Sequence, residues 1–456
     1  MAQTTSIRTF YILILTQTLS YIGSRMTGLA VGIKVFNDTG QVTPLALVGF
    51  FGMVPRILAT SVAGVLADRW DRRHVMIIAD AGEALATLVL LFTFATGTFE
   101  LWILYVLTVW QATFSMFQGP AFNASVTQLI PDAMRDRANA IQQITGPAAG
   151  LVAPVLAGVL FALIGVTGVM ALDIATFLVA IAVVAAVRIP RPAQTAEGRA
   201  ARGSVWQEMF SGFALMWKLR PMFYLLLLAT LLNFLSNMTG VMLVPYILLL
   251  TGSEAMLGTL LALLSLGMVV GGALVSVWTI KTKRMHIVFS AIIVEALFLA
   301  LLGVARAPLA LAVVMFLYLL PNPMINAPLF SLVQAKTPPD MQGRVFAAIM
   351  QLAMLAMPLA YLLAGPLADR VLEPAVGGAG WGLVAPLVGS DPGSGIGLLF
   401  VINGLLSASA GAAFYAWPRM RRLESELPDY APAGEDALPT GEADETLARS
   451  AEPLTL

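Results

Sequence analysis

Four carboxylates and one arginine stand where an apolar chain should not tolerate them. Asp80, Glu83, Asp173 and Glu295 each interrupt a long run of apolar residues, and so does Arg25. A charge at the centre of a bilayer costs at least about 2.5 to 3.5 kcal/mol on insertion scales, so such groups persist where they meet water, a counter-charge or a bound molecule. A carboxylate kept from bulk water can alternate between protonated and ionised states. Glu295, near the middle of its run and with no partner nearby in sequence, is the first candidate for that proton chemistry, followed by Asp80, Glu83 and Asp173. Arg25 lies several turns from either end of its run, which favours a carboxylate, an anion or water as its partner over snorkelling. Arg56, nearer an end, is expected to pair with Asp80 or Glu83.

Neutral polar residues fall into stripes. Gln17, Tyr21, Arg25 and Gly28 follow one another at helical spacing, as do Thr230, Asn233, Asn237 and Gly240. Gln111 and Gln118 mark a third stripe, Asn322 and Asn326 a fourth, and Trp110, Phe114 and Phe117 offer aromatic surface beside the third. Two uses remain open for the amides: hydrogen bonds between helices, at about 0.6 kcal/mol each, or contact with a ligand. With no cysteine and two histidines, His74 and His286, both in basic surroundings, neither a metal site nor a cofactor is expected. No clustered nucleophile or pair of acids at one face suggests an enzyme.

The elements that position these residues follow from composition. Of 456 residues, 58% are hydrophobic and only 11% charged, against roughly 25% charged in a soluble domain. About twelve apolar runs of roughly 20 or more residues recur, from Phe10–Val35 to Gly395–Trp417, each able to cross a hydrocarbon core of about 30 Å as a helix. The first begins near the N-terminus without a cleavage signal. Arg and Lys collect in alternate connections, among them Arg69, Arg72, Arg73, Lys283 and Arg284, while Lys34, Arg306 and Arg370 occupy the others, which puts both termini on the positive side. Residues 189–220 form the longest internal connection, with Trp206, Phe210, Phe213 and Trp217 at the spacing of an amphipathic surface helix. Gly377 to Gly397, Gly-rich with Trp381, reads as an outer loop, and the Pro-, Glu- and Asp-rich tail 424–456 as disordered.

The chain is also duplicated. Ser24-Arg25-Met26-Thr27-Gly28 recurs as Ser236-Asn237-Met238-Thr239-Gly240, Thr39-Gly40 as Thr251-Gly252, Pro131-Asp132 as Pro339-Asp340, and Leu156-Ala157-Gly158 as Leu363-Ala364-Gly365. The expected fold is therefore all-α and membrane-embedded: bundles of six helices at 1–188 and 221–423, in parallel repeat, with a site at their interface near the midplane. The repeat pairs Arg25 with Asn237 and Gln118 with Asn326.

One charged turn is more specific than the rest. Gly64-Val-Leu-Ala-Asp68-Arg69-Trp-Asp71-Arg72-Arg73 joins the second and third runs, and it resembles the Gly-x-Leu-Ala-Asp-Arg-x-Gly-Arg-Arg signature of the major facilitator superfamily, with Asp71 in place of the second Gly. With Val54-Pro55, Ile130-Pro131 and Arg137-Ala138-Asn139-Ala140 it is similar to the bacterial branch of drug, macrolide and enterobactin exporters. Gly146, Gly150, Ala153-Pro154 and Ala157-Gly158 resemble the Gly-Pro-x-x-Gly-Gly antiporter motif, at which small residues and a proline allow close packing and a bend. Ser115 stands where the drug:proton antiporters have Arg, and Glu83 where related exporters tend to carry Arg.

The resemblance implies alternating access with proton antiport, a cavity lined by runs one, four, seven and ten, and peripheral third, sixth and ninth runs. It further implies export of small amphipathic molecules from the cytoplasmic side of a bacterial inner membrane, by a monomer in the lipid bilayer with no nucleic-acid partner. Gly64, Asp68, Arg69, Arg72 and Arg73 are then expected to act as a gate, Asp68 accepting from the N-terminus of a neighbouring helix. The second-half turn Thr279–Arg284 keeps cations but no Asp, which makes the gate one-sided. An importer or facilitator of the same fold, or a membrane sensor or scaffold, remains the alternative.

Overall fold

A computed structural model describes residues 7–130, 134–187, 220–277 and 283–426. The surface helix expected within 204–217 and all but the first residues of the expected tail lie outside the described residues. Among the described residues every regular element is helical. The principal helices are α1 (Ile7–Thr39), α2 (Thr43–Arg69), α3 (Arg72–Thr96), α4 (Leu101–Leu129), α5 (Arg135–Ala186), α6 (Arg220–Thr251), α7 (Glu254–Val277), α8 (Arg284–Val304), α9 (Pro308–Leu319), α10 (Asn322–Lys336), α11 (Pro339–Leu367) and α12 (Ser394–Ala416).

At 52 residues, α5 would reach about 78 Å if straight, far beyond a bilayer core of about 30 Å. It breaks at Gly165, whose φ of 67° a side-chain-bearing residue rarely adopts. Ala138 near its start and Val184 near its end pack into one apolar cluster with Phe10, Val75 and Ile130, so the chain doubles back and α5 makes two passes. Eight helices among the described residues are long and apolar enough to cross a membrane, the two-armed segment Ala140–Ala186 among them. With α1, α2 and α4 the arrangement is consistent with twelve passes. Helix boundaries repeat as the sequence does: one constant offset separates the α1 and α6 ends, Thr39 and Thr251, and the α3 and α8 starts, Arg72 and Arg284.

The apolar run from Pro308 forms one span, Pro308–Lys336, interrupted for a turn between α9 and α10 where Pro321 and Pro323 supply no backbone donors. Gly377 to Gly397, expected as an outer loop, connects α11 to α12 at one end of the bundle and is packed: Trp381 is buried and donates through Nε1 to the Gly389 carbonyl at 2.8 Å, while Glu373 accepts from the Gly393 and Ile396 amides and caps α12. The tail does not begin loose at 424, since Leu423 is buried and Glu424 accepts from the Arg284 amide at 2.9 Å and receives Lys336 on its carbonyl.

Arg72, Arg73, Arg284 and Lys336 mark one end of the bundle, here the basic face; Thr43, Glu254, Arg306 and Asp369 mark the opposite face. Near the basic face the apolar clusters stay within one half: Phe10, Met76 and Leu129 in the first, Met285, Phe289 and Met420 in the second. Toward the opposite face one cluster joins Ile33, Phe36 and Val42 of the first half to Met242, Tyr246, Leu257 and Ala364 of the second. The halves are thus sealed together at the opposite face, above a cavity that α1, α2, α3, α4 and α5 line from the first half.

Candidate functional site

The cavity is about 630 Å³, within the range of about 300 to 1,000 Å³ that holds drug-sized ligands. Its wall carries Asp80, Glu83 and Asp173 together with Arg25 and Arg56, and between them apolar surface from Leu45, Val48, Met53, Phe177, Val241 and Val244. The third and sixth runs, expected at the periphery, therefore deliver their carboxylates to the cavity. Each carries exposed apolar residues on its outer face, Ile78, Leu85 and Phe92 on α3 and Leu172, Leu178 and Val179 on α5, so the polar face turns inward.

Asp80, 2% exposed, ties three helices. Gln17 of α1 donates to its Oδ2 at 3.1 Å, Gln118 of α4 donates to its Oδ1 at 2.9 Å, and Gln118 also donates to Gln17 Oε1 at 2.6 Å. These amides bond between helices and also line the cavity. Asp173, 1% exposed, accepts from Ser24 Oγ at 3.4 Å. Glu83 lies within electrostatic reach of Asp80, Asp173 and Arg56. Arg25 lines the cavity with its guanidinium 5.0 Å from the Tyr21 ring centroid, a cation–π contact, and Gln111 lines it while donating to Thr87 Oγ1 at 3.2 Å.

Other expected residues are elsewhere. Trp110 and Phe114 lie outside the cavity lining: Trp110 donates through Nε1 to the Gly82 carbonyl at 2.9 Å, and Phe114 fills the space that a Gly82 side chain would need. They occupy the α3-facing side of α4, whereas Gln111, Ser115 and Gln118 share its cavity side. Asn233, Asn322 and Asn326 line a separate cavity of about 150 Å³ inside the second half, with Glu295. There Asn322 donates to Glu295 Oε1 at 3.3 Å and Asn326 donates to Asn322 Oδ1 at 2.9 Å, so Glu295 has a partner that sequence proximity did not reveal. Asn237 donates to the Asn233 carbonyl at 2.7 Å and accepts from Tyr361 at 3.3 Å. Instead of facing each other across one space, the polar stripes of the two halves occupy two. From the second half, Gly240, Val241, Val244 and Tyr361 complete the wall of the larger cavity.

Of the expected gate, Gly64, Asp68 and Arg69 lie on α2, and their side chains are outside the described set. Asp71 caps α3 by accepting from the Arg73 amide at 3.0 Å, and Arg73 donates to the Val184 and Ala185 carbonyls at the end of α5, where a cation suits the helix dipole. Arg72 opens α3. Of the expected bend, Pro154 keeps helical backbone and the break comes at Gly165. Gly158 and Gly258 instead form a seam between α5 and α7: a Cβ on either would strike the other helix's backbone, at Glu254 and Pro154 respectively. Gly150 faces Ser265 across the same seam, and Gly146 has open space around it.

Two helical halves sealed at one face over a charged, drug-sized cavity define a multi-pass membrane transporter of small molecules. The chain belongs to the Major Facilitator Superfamily, whose profile matches residues 13–361. It is similar to macrolide efflux protein A of Streptococcus pyogenes, 26% identical over 79% of this chain and 90% of that protein. It is likewise similar to the multidrug efflux pump Tap of Mycolicibacterium fortuitum, 27% identical over 76% of this chain and 86% of the relative. Among solved structures, a bacterial homologue of the human lysosomal transporter Spinster, in an inward-facing and unoccupied conformation, shares the fold with a TM-score of 0.73 at 15% identity, over 95% of this chain and 100% of that one. A bacterial homologue of the iron transporter ferroportin matches with a TM-score of 0.66 at 15% identity, over 90% of this chain and 99% of the other.

Proposed function

We propose that the protein is a secondary active exporter of small amphipathic molecules, working by alternating access with proton antiport from a basic face that is cytoplasmic. The observation that carries this reading is the composition of the larger cavity, where three carboxylates, two guanidiniums and apolar side chains line one space of about 630 Å³. Carboxylates outnumber cations on that wall, which favours substrates with an apolar body and a positive charge. The efflux relatives agree with this direction. Positive residues at the basic face agree with a cytoplasmic placement.

Protons supply the drive. Each one entering contributes about 2.3 kcal/mol per 100 mV. A carboxylate on the cavity wall can hold either the substrate's positive charge or a proton, and that competition is the simplest coupling device. Glu83, with Arg56 as a standing counter-charge, is placed for it; Asp80 already holds two amide donors. Glu295 serves the second half through Asn322.

Inverted membrane vesicles loaded with a proton gradient, challenged with a panel of macrolides, cationic dyes and siderophores, test the reading. Gradient-dependent accumulation of cationic, amphipathic members is expected. Accumulation in right-side-out vesicles alone would make the protein an importer and overturn the proposal.

A further inference from the structure

The hexapeptide that ends α2, Gly64-Val-Leu-Ala-Asp68-Arg69, occurs a second time at the end of α11 as Gly365-Pro-Leu-Ala-Asp369-Arg370, differing only at its second position. Internal duplication does not produce this recurrence. The repeat aligns Gly365 with Gly158, at the end of the first arm of α5, and leaves Asp369 opposite Ala162. The first copy ends α2 at the basic face, and the second runs from the last turn of α11 into the π-helical turn Ala368–Leu372 at the opposite face.

The second copy is in use. Asp369 Oδ1 accepts from the Val42 amide at 2.8 Å, and Oδ2 accepts from the Thr43 amide at 2.7 Å and from Thr43 Oγ1 at 2.5 Å. These are the first amides of α2, so a carboxylate from the second half caps a first-half helix across the interface, where the helix dipole favours negative charge. Gly365 makes the approach possible: a Cβ there would stand 2.5 Å from Thr43 Cα. One turn deeper, Gly49 packs against the Tyr361 ring. Contacts that run from Thr43 to Gly49 on α2 and from Asp369 back to Tyr361 on α11 make the two helices antiparallel.

We propose that Asp369 is the latch of the opposite face, a positioning residue that holds the halves together there by capping α2. The proposal rests on the alternating-access reading given above. Gly365 lets the first turn of α2 come close, and Asp369 accepts its free amides.

The chain contains no cysteine, so a single Gly32→Cys reports access from the opposite face; Gly32 lines the cavity near that end of α1 and has open space at its Cβ. Labelling by a membrane-impermeant maleimide applied to intact cells, without substrate, is expected to be roughly tenfold faster with Asp369→Asn, equivalent to a loss of about 1.4 kcal/mol from the closed state. Thr43→Val, which removes one of the three donors, should give a smaller rise, and Asp369→Glu should label more slowly than Asp369→Asn. Labelling of Asp369→Asn at the parent rate overturns the latch; if that variant fails to insert, an unchanged rate in Thr43→Val does so. Because the measurement needs neither substrate nor gradient, a chain that labels as expected but exports nothing keeps the latch and loses the exporter.

Discussion

At the scale of single residues, the carboxylates divide by what they already hold. Asp80 accepts from Gln17 and Gln118, and removing the shared donor strands two buried acceptors at once. Gln118→Ala should therefore cost about 1 to 3 kcal/mol, read as an apparent melting temperature several degrees lower in detergent, whereas Gln111→Ala, which takes one bond from the Thr87 hydroxyl, should shift it less. Glu83 differs because its neighbours are charges of both signs. Glu83→Gln should leave exchange of substrate across the membrane intact and abolish accumulation driven by a proton gradient; Glu295→Gln, made in parallel, separates the two halves' contributions. Accumulation by both variants at the parent level would remove carboxylates 83 and 295 from the coupling scheme. Sequence alone exposed these groups because charge in an apolar run is conspicuous. It did not reveal which neighbours they share, since Gln17, Asp80 and Gln118 come together only through tertiary packing, and it paired Trp110 and Phe114 with the wrong face of α4.

At the scale of elements, small residues decide where helices touch. The α5–α7 seam at Gly158 and Gly258 brings backbone against backbone with no room for a methyl group. Gly158→Ala should destabilise by roughly 1 to 3 kcal/mol through overpacking and lower transport by holding the seam apart, as seen in melting temperature and initial efflux rate. Gly146→Ala, in open space on the same helix, should be neutral or stabilise by up to about 1 kcal/mol. The antiporter-like pattern thus mixes positions of unequal consequence. Most helices were legible, because apolar length is a strong signal. The interruption between α9 and α10 followed from Pro321 and Pro323, which hydropathy averages away, and the packing of the Gly377 to Gly397 connection was not legible because Gly-rich composition hides a buried indole.

At the scale of the whole molecule, the duplication of sequence is not a duplication of chemistry. One offset relates Arg72 to Arg284, His74 to His286 and Glu83 to Glu295, yet the first half presents its carboxylates to about 630 Å³ and the second half encloses Glu295 in about 150 Å³ with three asparagines. A drug-sized ligand fits the first space and not the second. Recognition should therefore be concentrated in the first half, with the second supplying Val241, Val244 and Tyr361 as a wall and moving against it. Asp173→Asn removes a negative charge from the wall, and for a cationic dye it should raise the KM of efflux about tenfold, a loss of about 1.4 kcal/mol in binding, with a much smaller effect on a neutral substrate. Asn233→Ala and Asn326→Ala, the corresponding polar changes in the second half, should alter KM for either substrate by less than about twofold. Equal effects from the two halves would mean that the smaller cavity opens to substrate during the cycle, and the two spaces would then be successive stations on one path.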